Sequence, residues 1–383
     1  MAALAKDWLR IFLRSWWPGR FSPQRILVLL LLWPLLLITQ SINLVCLALD
    51  HVLFPGFRRI EVREPLFVIG VPRSGTTFLH RLLALDAERF TTTTLWELLF
   101  APSITQRIFW SLLARLDRLC LGILSRPFFF LERLALGWLD DVHATGLRAP
   151  EEDYLALIPV LGCFILVLPF PDRCLWELNY FDRDVPVGRR NTVLTFYRSL
   201  VQRHLYFHGS DKTFLSKNPS FTPMVESLAR FFPDARFIAC FRNPTAAVPS
   251  QVNSIIVGAR LFDFRIDERY WRDGLMKMLA FYYTHLFNVL PAMPARRQTK
   301  MIMENLAPAP MDEVLRVYRQ FGWQPGADYL ARLEREQERA RGYRSKHVYS
   351  LQGLGISAAQ LQYHYRFVYQ RFGFALPQDA ASN

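Results

Sequence analysis

Residues 66–77 read LFVIGVPRSGTT, a short apolar run that leads into a loop bounded by two glycines. The apolar run ending at Gly70 predicts a buried β-strand, and the apolar spacing from Thr77 to Leu85 predicts a helix directly after the loop. A strand, a glycine-bounded loop and a helix in this order direct backbone N–H groups at an anion. The stretch therefore favours an α/β fold with a phosphate-type site at the end of a strand.

The loop has the frame of a phosphate-binding P-loop, G-x-x-x-x-G-K-[ST], with Thr76 where the pattern has lysine. That lysine reaches the β- and γ-phosphates of a nucleoside triphosphate, so its replacement changes what the loop can hold. Arg73 supplies a positive charge within the loop, and the hydroxyls of Thr76 and Thr77 can donate hydrogen bonds. The loop keeps its anion-binding character without the residue that serves a γ-phosphate.

A P-loop nucleotide kinase also needs an aspartate at the end of a later apolar strand to hold Mg²⁺. The best candidate strand, Arg236–Phe241, is followed by Arg242 in the stretch FRNPTAAVPS, so a cation occupies the place of the acid. Arg242 and Ser250, eight residues further on, can reach one phosphate together. We therefore predict a site that neutralises anions with protein charges and holds no metal. The alternative for Arg242 is a surface arginine after an edge strand.

Apolar runs with strand character alternate with long helical stretches from Pro65 onward. This alternation predicts a central parallel sheet flanked by helices on both faces, a three-layer α/β fold of the P-loop type. Residues 104–139 have the spacing of long amphipathic helices. The predicted strands are Leu66–Gly70, Thr213–Ser216, Arg236–Phe241 and Lys300–Met303.

Residues 26–49 contain no charged side chain and, as a helix, span roughly 36 Å, which is enough for a bilayer core. Basic residues and tryptophans precede this run, as is typical of an interfacial segment. Pro34 and the polar residues from Thr39 to Asn43 weaken the pattern of a simple span. An N-terminal hydrophobic membrane-associating helix is predicted, and a spanning helix, an interfacial anchor and a helix packed on the domain remain alternatives.

The formal net charge of +13 favours an anionic partner, although a basic protein that simply stays soluble has the same balance. Nucleic acid is not favoured, because the aromatic residues lie in apolar runs rather than among basic residues as a stacking platform. The five cysteines are scattered and lack the spacing of a zinc site, which favours a reducing compartment. The sequence is silent on the oligomeric state.

Taken together, GVPRSGTT and FRNPTAAVPS resemble the two cofactor motifs of sulfotransferases, and the resemblance covers roughly residues 65–375. It is closest to the bacterial and tyrosylprotein-type branch of the family. The family's cofactor is 3′-phosphoadenosine 5′-phosphosulfate, and the resemblance implies that Arg242 and Ser250 bind its 3′-phosphate. The residues that it implies for the 5′-phosphosulfate are Arg73, Ser74, Gly75, Thr76, Thr77 and Phe78.

The resemblance also implies catalytic residues. The stretch LSKNP places Lys217 where family members have a lysine that contacts the bridging oxygen of the phosphosulfate, and Arg73 adds positive charge. Pro219 occupies the position of the histidine base that cytosolic members use. Branches with a PRSGTT loop use a glutamate after the next strand, which makes Glu97 the first candidate for the general base.

A second polar cluster lies in the stretch DDVHATGLRAPEEDYLAL, which offers His143, Glu151 and Glu152. We carry His143 and Glu152 as further catalytic candidates. The two glutamates follow Pro150, so acids placed at the start of a helix explain them as well. The sequence leaves these two interpretations open.

The basic and aromatic stretch GYRSKHVYS lies near the C-terminus, where the family often closes the cofactor pocket with a basic loop. A solvated charge run is the alternative. A helix capping box at Ser357–Gln360 predicts that a helix begins just after this stretch. The residues that the resemblance offers as cofactor contacts are Tyr343, Arg344, Ser345 and Lys346.

The region between the helix that follows the glycine-bounded loop and Lys217 should bind the acceptor. This region is unusually apolar, notably from Leu155 to Phe170. Buried core helices explain such a stretch, and a hydrophobic groove for a lipid-like alcohol is the alternative. We expect a lipid, isoprenoid or glycolipid hydroxyl as acceptor. Because activated sulfate is cytosolic in bacteria, we expect the catalytic domain on the cytoplasmic face of a membrane.

The predicted organisation is a membrane-associating segment over residues 1–60, a sulfotransferase domain over 61–376 and a tail over 377–383. Within the domain, residues 100–210 are predicted to form the helical acceptor-binding insert. Two other functions are carried as alternatives. One is a P-loop nucleotide kinase with a degenerate loop. The other is a membrane-bound protein of this fold that binds anions but has no catalytic activity.

Overall fold

A computed structural model of the chain describes residues 2–16, 22–120, 146–341 and 351–377. Its centre is a five-stranded sheet in the order β2-β3-β1-β4-β5, and neighbouring strands are parallel. The predicted α/β fold with a central parallel sheet is therefore confirmed. The strands are β1 (Leu66–Gly70), β2 (Phe90–Thr91), β3 (Thr213–Lys217), β4 (Arg236–Phe241) and β5 (Gln298–Ile302).

The predicted strand bounds are most accurate in the middle of the sheet. β1 and β4 begin and end where their apolar runs predict, because both strands are almost wholly buried. β3 extends one residue further, to Lys217. β5 is displaced toward the N-terminus and begins at Gln298, since an edge strand alternates buried and half-buried residues and has no continuous apolar run.

The structure describes fifteen α-helices in residues 2–16, 22–120, 146–341 and 351–377. The capping box predicted at Ser357–Gln360 is confirmed at the start of α15. The first seven helices are α1 (Ala2–Ser15), α2 (Pro23–Leu53), α3 (Thr76–Ala84), α4 (Leu95–Phe100), α5 (Ile104–Leu119), α6 (Arg173–Trp176) and α7 (Phe181–Asp184). The others are α8 (Val187–His208), α9 (Val225–Phe231), α10 (Pro244–Phe262), α11 (Glu268–Val289), α12 (Met303–Leu306), α13 (Pro310–Phe321), α14 (Ala327–Arg341) and α15 (Ala358–Phe372).

Helices cover both faces of the sheet and form two hydrophobic clusters. The side chains of β1 alternate between them, with Phe67 and Ile69 in the larger cluster and Leu66 and Val68 in the smaller one. The larger cluster includes residues of α8, α10, α11 and α15, and the smaller one includes residues of α3 and α13. These are the three layers that the sequence predicts.

The strand order creates a crevice at the carboxyl ends of the central strands. From β1 the chain leaves toward β2 on one side of the sheet, and it later returns to β4 on the other side of β1. In open parallel sheets, ligands bind where the direction of winding reverses in this way. Gly70, Lys217 and Arg242 lie at or just after the carboxyl ends of β1, β3 and β4.

The apolar stretch from Leu155 to Phe170 does not form long helices. It forms two short 3-10 helices, Asp153–Val160 and Phe164–Val167, because Pro159 lacks an N–H group and Leu161 turns the chain with φ +52°. Most of its apolar side chains are buried in the larger cluster. Of the two alternatives for this stretch, the structure favours the buried core.

Candidate anion-binding site

Two glycines and a contact with β4 determine the shape of the loop between β1 and α3. Gly70 has φ +144° and Gly75 has φ +83°, conformations that favour glycine. A Cβ atom at Gly70 would lie 2.2 Å from the carbonyl oxygen of Cys240, so only glycine permits this approach of β1 to β4. Ser74, a predicted ligand, is fully buried and donates its hydroxyl to the carbonyl oxygens of Val71 and Cys240. Its hydroxyl supports the loop from within.

α3 begins directly behind this loop. Thr76 is buried at the first helical position, and Thr77 and Phe78 are half-buried in the first turn. The first four N–H groups of a helix have no acceptor within the helix, and the helix dipole adds positive potential there. Arg73 has φ +68°, a conformation that is uncommon outside glycine and that occurs at functional sites. The loop and α3 have the features of an anion-binding site.

Arg73, Arg242 and Ser250 form one contact group that joins the loop to the end of β4. Arg73 Nε donates to Ser250 Oγ at 3.0 Å, and Arg242 Nη1 donates to the carbonyl oxygen of Arg73 at 2.9 Å. Tyr283 of α11 donates its hydroxyl to the carbonyl oxygen of Arg242 at 2.5 Å. Burial lowers the pKa of Arg242, against the raising effect of Glu304. The two predicted phosphate sites therefore share one cationic surface.

Lys217 is the last residue of β3 and lies beside β1, where Val68 is its partner in the parallel ladder. Its side chain is 2% exposed, and Nζ donates to Glu151 Oε1 and to Glu152 Oε1, each at 3.1 Å. Glu152 does precede a 3-10 helix, but its side chain does not cap that helix. The structure thus brings the two glutamates of the second predicted cluster to Lys217.

The charges of Lys217, Glu151 and Glu152 shift the pKa values of Lys217 and Glu152. Burial opposes the charged form of Lys217, but Glu152 and Glu151 more than offset burial, so the pKa of Lys217 is raised. Burial and the charge of Glu151 raise the pKa of Glu152, although Lys217 and Arg73 oppose the shift. A carboxylate with a raised pKa is a better proton acceptor near neutral pH.

Glu97, the first candidate for the general base, lies in α4 in a different environment. One of its carboxylate oxygens accepts from the N–H and the hydroxyl of Thr94, which completes a capping box. The other oxygen contacts His208 at 2.5 Å and Arg107 at 3.5 Å. Burial raises the pKa of Glu97, but Arg107 and His208 outweigh burial, and the pKa lies well below its ordinary value. These contacts make Glu97 a weak base.

Glu97, His204 and His208 also place one ligand atom each within 4.8 Å of one another, a grouping that could hold a metal ion. The Nε atom of the buried Arg107 lies 3.5 Å from the same carboxylate oxygen of Glu97. Burial lowers the pKa of His204 well below its ordinary value, and Arg107 lowers it further. Because a guanidinium already neutralises this carboxylate, we assign no metal to the group.

Asp153 is a residue of the site that the sequence did not single out. It is buried, accepts a short hydrogen bond from the hydroxyl of Tyr197, and lies 3.4 Å from Nδ2 of Asn218, which follows Lys217. Burial raises its pKa to about 6, although the hydrogen bond from Tyr197 opposes the shift. Its position directly after Glu151 and Glu152 in the stretch PEED was the only available signal.

The remaining predicted site residues lie outside the described part of the chain. These are His143, Tyr343, Arg344, Ser345 and Lys346. Their roles, and the predicted domain boundaries, stay predictions.

The geometry defines a class of protein. A P-loop-type α/β fold carries a helix N-terminus, two arginines and a buried lysine at the carboxyl ends of β1, β3 and β4. The sequence profile of the sulfotransferase family matches residues 65–325, and the chain belongs to this family. The predicted family is thereby confirmed, and sulfuryl transfer replaces the kinase alternative.

Individual relatives agree with this assignment. The chain is 25% identical over 350 residues to the omega-hydroxy-beta-dihydromenaquinone-9 sulfotransferase Stf3 of Mycobacterium bovis. The aligned region covers 85% of this chain and 79% of the relative. The solved structure of sulfotransferase STF9 from Mycobacterium avium is similar in fold, with a TM-score of 0.69 and 19% identity over 87% of this chain and 83% of that one. The solved structure of sulfotransferase STF1 from Mycobacterium tuberculosis H37Rv has a TM-score of 0.57 and 15% identity. The match covers 84% of this chain and 81% of that one.

Proposed function

We propose that this sulfotransferase moves a sulfuryl group from 3′-phosphoadenosine 5′-phosphosulfate to the hydroxyl of a lipid-type acceptor. The observation that carries the proposal is the position of Lys217. Its buried ammonium group lies at the same edge of the sheet as the anion-binding loop and contacts two carboxylates. Such a transfer needs a cation that stabilises the negative charge on the leaving group, and a base that accepts the proton of the acceptor hydroxyl.

The residues present fit a donor that carries two separate anionic groups. The loop and the first turn of α3 offer backbone donors and threonine hydroxyls for a phosphosulfate. Arg242 and Ser250 offer a guanidinium and a hydroxyl for a second phosphate, and Arg73 touches both of them. The donor supplies the sulfuryl group, and its departure leaves negative charge on the donor's terminal phosphate.

Lys217 and Glu152 have complementary roles in this proposal. The ammonium group of Lys217 stabilises the negative charge that develops as the sulfuryl group leaves. Glu152 accepts the proton of the acceptor hydroxyl, because its pKa is raised and it adjoins Lys217. We therefore assign the base to Glu152 rather than to Glu97, whose carboxylate is already engaged by Arg107, His208 and the cap of α4.

Matched glutamine variants separate these two candidates for the base. Glu152→Gln should lower kcat by roughly 100-fold or more, because general-base catalysis typically contributes that much. Glu97→Gln should leave kcat within about tenfold, since it keeps a hydrogen-bond acceptor at the cap. Steady-state kinetics on folded variants, with the exposed Glu61→Gln as the control, measures this. An equal or larger loss for Glu97→Gln would overturn the assignment.

Two observations support a lipid-type acceptor. The relative from Mycobacterium bovis is named for a menaquinone derivative that carries a hydroxyl group. In this chain, the 3-10 helix that follows Glu152 contacts the apolar N-terminal region, where Trp8 Nε1 donates to the carbonyl oxygen of Pro159 at 3.1 Å. We propose that the acceptor approaches from a membrane and that the catalytic domain lies on the cytoplasmic face.

Sulfate transfer from donor labelled in its sulfuryl group tests the acceptor class. The full chain is incubated with a membrane lipid extract and, in parallel, with soluble sugars and peptides, with Lys217→Ala as the inactive control. Label should appear in the organic phase and should depend on Lys217. Efficient labelling of the soluble acceptors with none in the lipid fraction would refute the lipid acceptor and leave the transfer reaction standing.

A further inference from the structure

α2 is the one helix in the described ranges that is long and apolar enough to cross a bilayer. It is also attached to the catalytic fold along one side. We infer that the protein docks on one leaflet of an anionic membrane, with α2 lying along the membrane surface rather than crossing it. This inference uses none of the residues of the transfer site, so it does not rest on the proposed function.

The first turn of α2 is attached to the end of α10. Gln24 Nε2 donates to the carbonyl oxygens of Arg260 and Leu261, each at 3.0 Å, and Gln24 Oε1 accepts from the N–H of Phe264 at 2.9 Å. Ser22, the N-cap of α2, donates to Asp263 at 3.4 Å. This end of α2 is therefore part of the catalytic fold.

The second half of α2 is attached to other elements of the same fold. Asn43 Nδ2 donates to the carbonyl oxygen of Leu99 at 3.1 Å, and its Oδ1 accepts from Gln106 at 2.7 Å. Asp50 forms an ion pair with Arg203 of α8 at 2.8 Å, and both side chains are almost fully buried. The polar contacts thus continue to the last turn of α2.

The length of this attachment excludes a simple transmembrane arrangement. From Ser22 to Asp50 the helix rises about 42 Å, whereas the hydrocarbon core of a bilayer is about 30 Å thick. If α2 crossed the bilayer, its partners on α4, α5, α8 and α10 would have to enter the hydrocarbon with it. Those elements carry the ion pair of Arg203 and belong to the domain that holds the anion-binding loop. Only one side of α2 is therefore available to lipid.

That available side is almost entirely apolar. The buried or half-buried positions follow one narrow stripe from Leu29 to Asp50, and the opposite side is exposed. α5 packs beside α2 and adds Phe109, Leu112 and Leu116, which are more than half exposed. A helix in the membrane interface buries such a face in the headgroup and acyl boundary. The exposed apolar residues of α2 include Leu31, Leu35, Ile38, Ile42, Val45 and Leu49.

A basic cavity of about 890 Å³ opens at the N-terminal end of this surface, between α1, the start of α2 and the segment that follows α10. Its walls combine apolar side chains, such as Leu9 and Leu13, with more cations than carboxylates. Lipid headgroup phosphates are the anions that a membrane surface offers to such a cavity. The cations are Lys6, Arg10, Arg14, Arg25 and Arg265, and the carboxylates are Asp263 and Asp267. Arg10 and Arg14 lie 3.5 and 3.2 Å from Asp172, and Arg25 lies 3.8 Å from Asp263, so Lys6 and Arg265 are the cations to remove in a test.

Flotation with vesicles tests the headgroup component. The double variant Lys6→Ala/Arg265→Ala should bind mixed phosphatidylcholine–phosphatidylglycerol vesicles more weakly than the native chain, by roughly fivefold for each residue removed. Arg319→Ala/Arg335→Ala removes the same charge from exposed positions on α13 and α14 and should bind like the native chain. Equal weakening of both variants, or of neither, would overturn the role of the cavity.

Spin labels on one face of α2 test its orientation. Leu31→Cys, Ile38→Cys and Val45→Cys are seven residues apart and have similar exposures of 66%, 60% and 58%. Each is labelled in the full chain with Cys46→Ser and Cys120→Ser, bound to the same vesicles. Their depths are measured from the relaxation effects of oxygen and of a water-soluble nickel complex. Asp328→Cys on α14 is the aqueous control.

An in-plane helix predicts the same shallow depth for all three labels. A spanning helix predicts a progression of about 21 Å in depth between positions 31 and 45, because 14 residues separate them. That progression would overturn the inference, and so would three labels as accessible to the nickel complex as the control. Circular dichroism of each variant verifies that the chain is folded before it is compared.

Discussion

Lys217 is a deeply buried cation of the proposed transfer site. Its ammonium group is almost fully buried, and the carboxylates of Glu151 and Glu152 contact it while remaining partly exposed. A buried lysine with two such partners stays charged at neutral pH. In the proposed reaction this fixed charge acts on the transition state rather than on the bound donor.

The roles of Lys217 and Arg242 predict opposite kinetic defects. Lys217→Ala should lower kcat by about 100-fold or more and change the donor Kd by only a few-fold, because it removes charge stabilisation of the leaving group. Arg242→Ala should mainly raise the donor Kd, because it removes a cation of the proposed 3′-phosphate site. Steady-state kinetics and equilibrium binding measure both, with exposed Lys277→Ala as control. The reverse pattern would contradict these roles.

Asp153 should give folding stability a measurable pH dependence. Its folded-state pKa, about 6, is above the ordinary value of 3.8, so folding favours its protonated form. Its contribution is fully present below about pH 4 and is lost as pH rises to about 6, a change of roughly 3 kcal/mol. Asp153→Asn should remove this part of the pH dependence in denaturant unfolding, and exposed Asp328→Asn should not. An unchanged pH profile for Asp153→Asn would contradict the assignment.

The placement of some of these residues could be predicted from the sequence, and the placement of others could not. The loop residues, Arg242 and Ser250 are recognisable because each motif is local and follows an apolar strand. The contact between Glu152 and Lys217 joins residues 65 positions apart, so no local pattern encodes it. Glu97 was the first choice for the base, and only the structure reveals the capping box and the ion pair that lower its pKa.

The composition of α2 does not decide whether this helix spans a membrane or packs on the fold. Its apolar run has the length of a membrane span, and its buried stripe is visible only once the partners on α5 and α8 are in place. In the sequence, Pro34 and the polar residues from Thr39 to Asn43 weaken the spanning alternative, and Asp50 lies just beyond the apolar run. The structure gives the physical reason, because the side chains of Asn43 and Asp50 are satisfied by the catalytic fold.

Removing Asp50 should detach the end of α2 from that fold. Asp50 accepts from the N–H groups of Ile104 and Thr105 as well as from Arg203, which is 2% exposed. Asp50→Ala should lower the free energy of unfolding by about 3–5 kcal/mol, because it leaves a buried guanidinium unpaired. Denaturant unfolding in mild detergent measures this. The control is Glu61→Ala, whose partner is exposed, and it should change stability by less than about 0.5 kcal/mol. Equal effects of the two variants would contradict this account.

The proposed transfer site and the apolar N-terminal surface belong to one fold. Asp153 accepts from Tyr197 of α8, and Arg203 of the same helix pairs with Asp50 of α2. One helix thus joins the back of the proposed site to the proposed membrane surface. In the proposed function, this helix fixes the position of the site relative to the membrane surface.

In the proposed function, two cationic sites hold 3′-phosphoadenosine 5′-phosphosulfate without a metal. Calorimetry of the full chain with 3′-phosphoadenosine 5′-phosphate, in the presence of Mg²⁺ and again with a chelator, tests it most directly. We expect saturable binding with the same Kd in both conditions. Absence of binding, or binding that requires Mg²⁺, would contradict it.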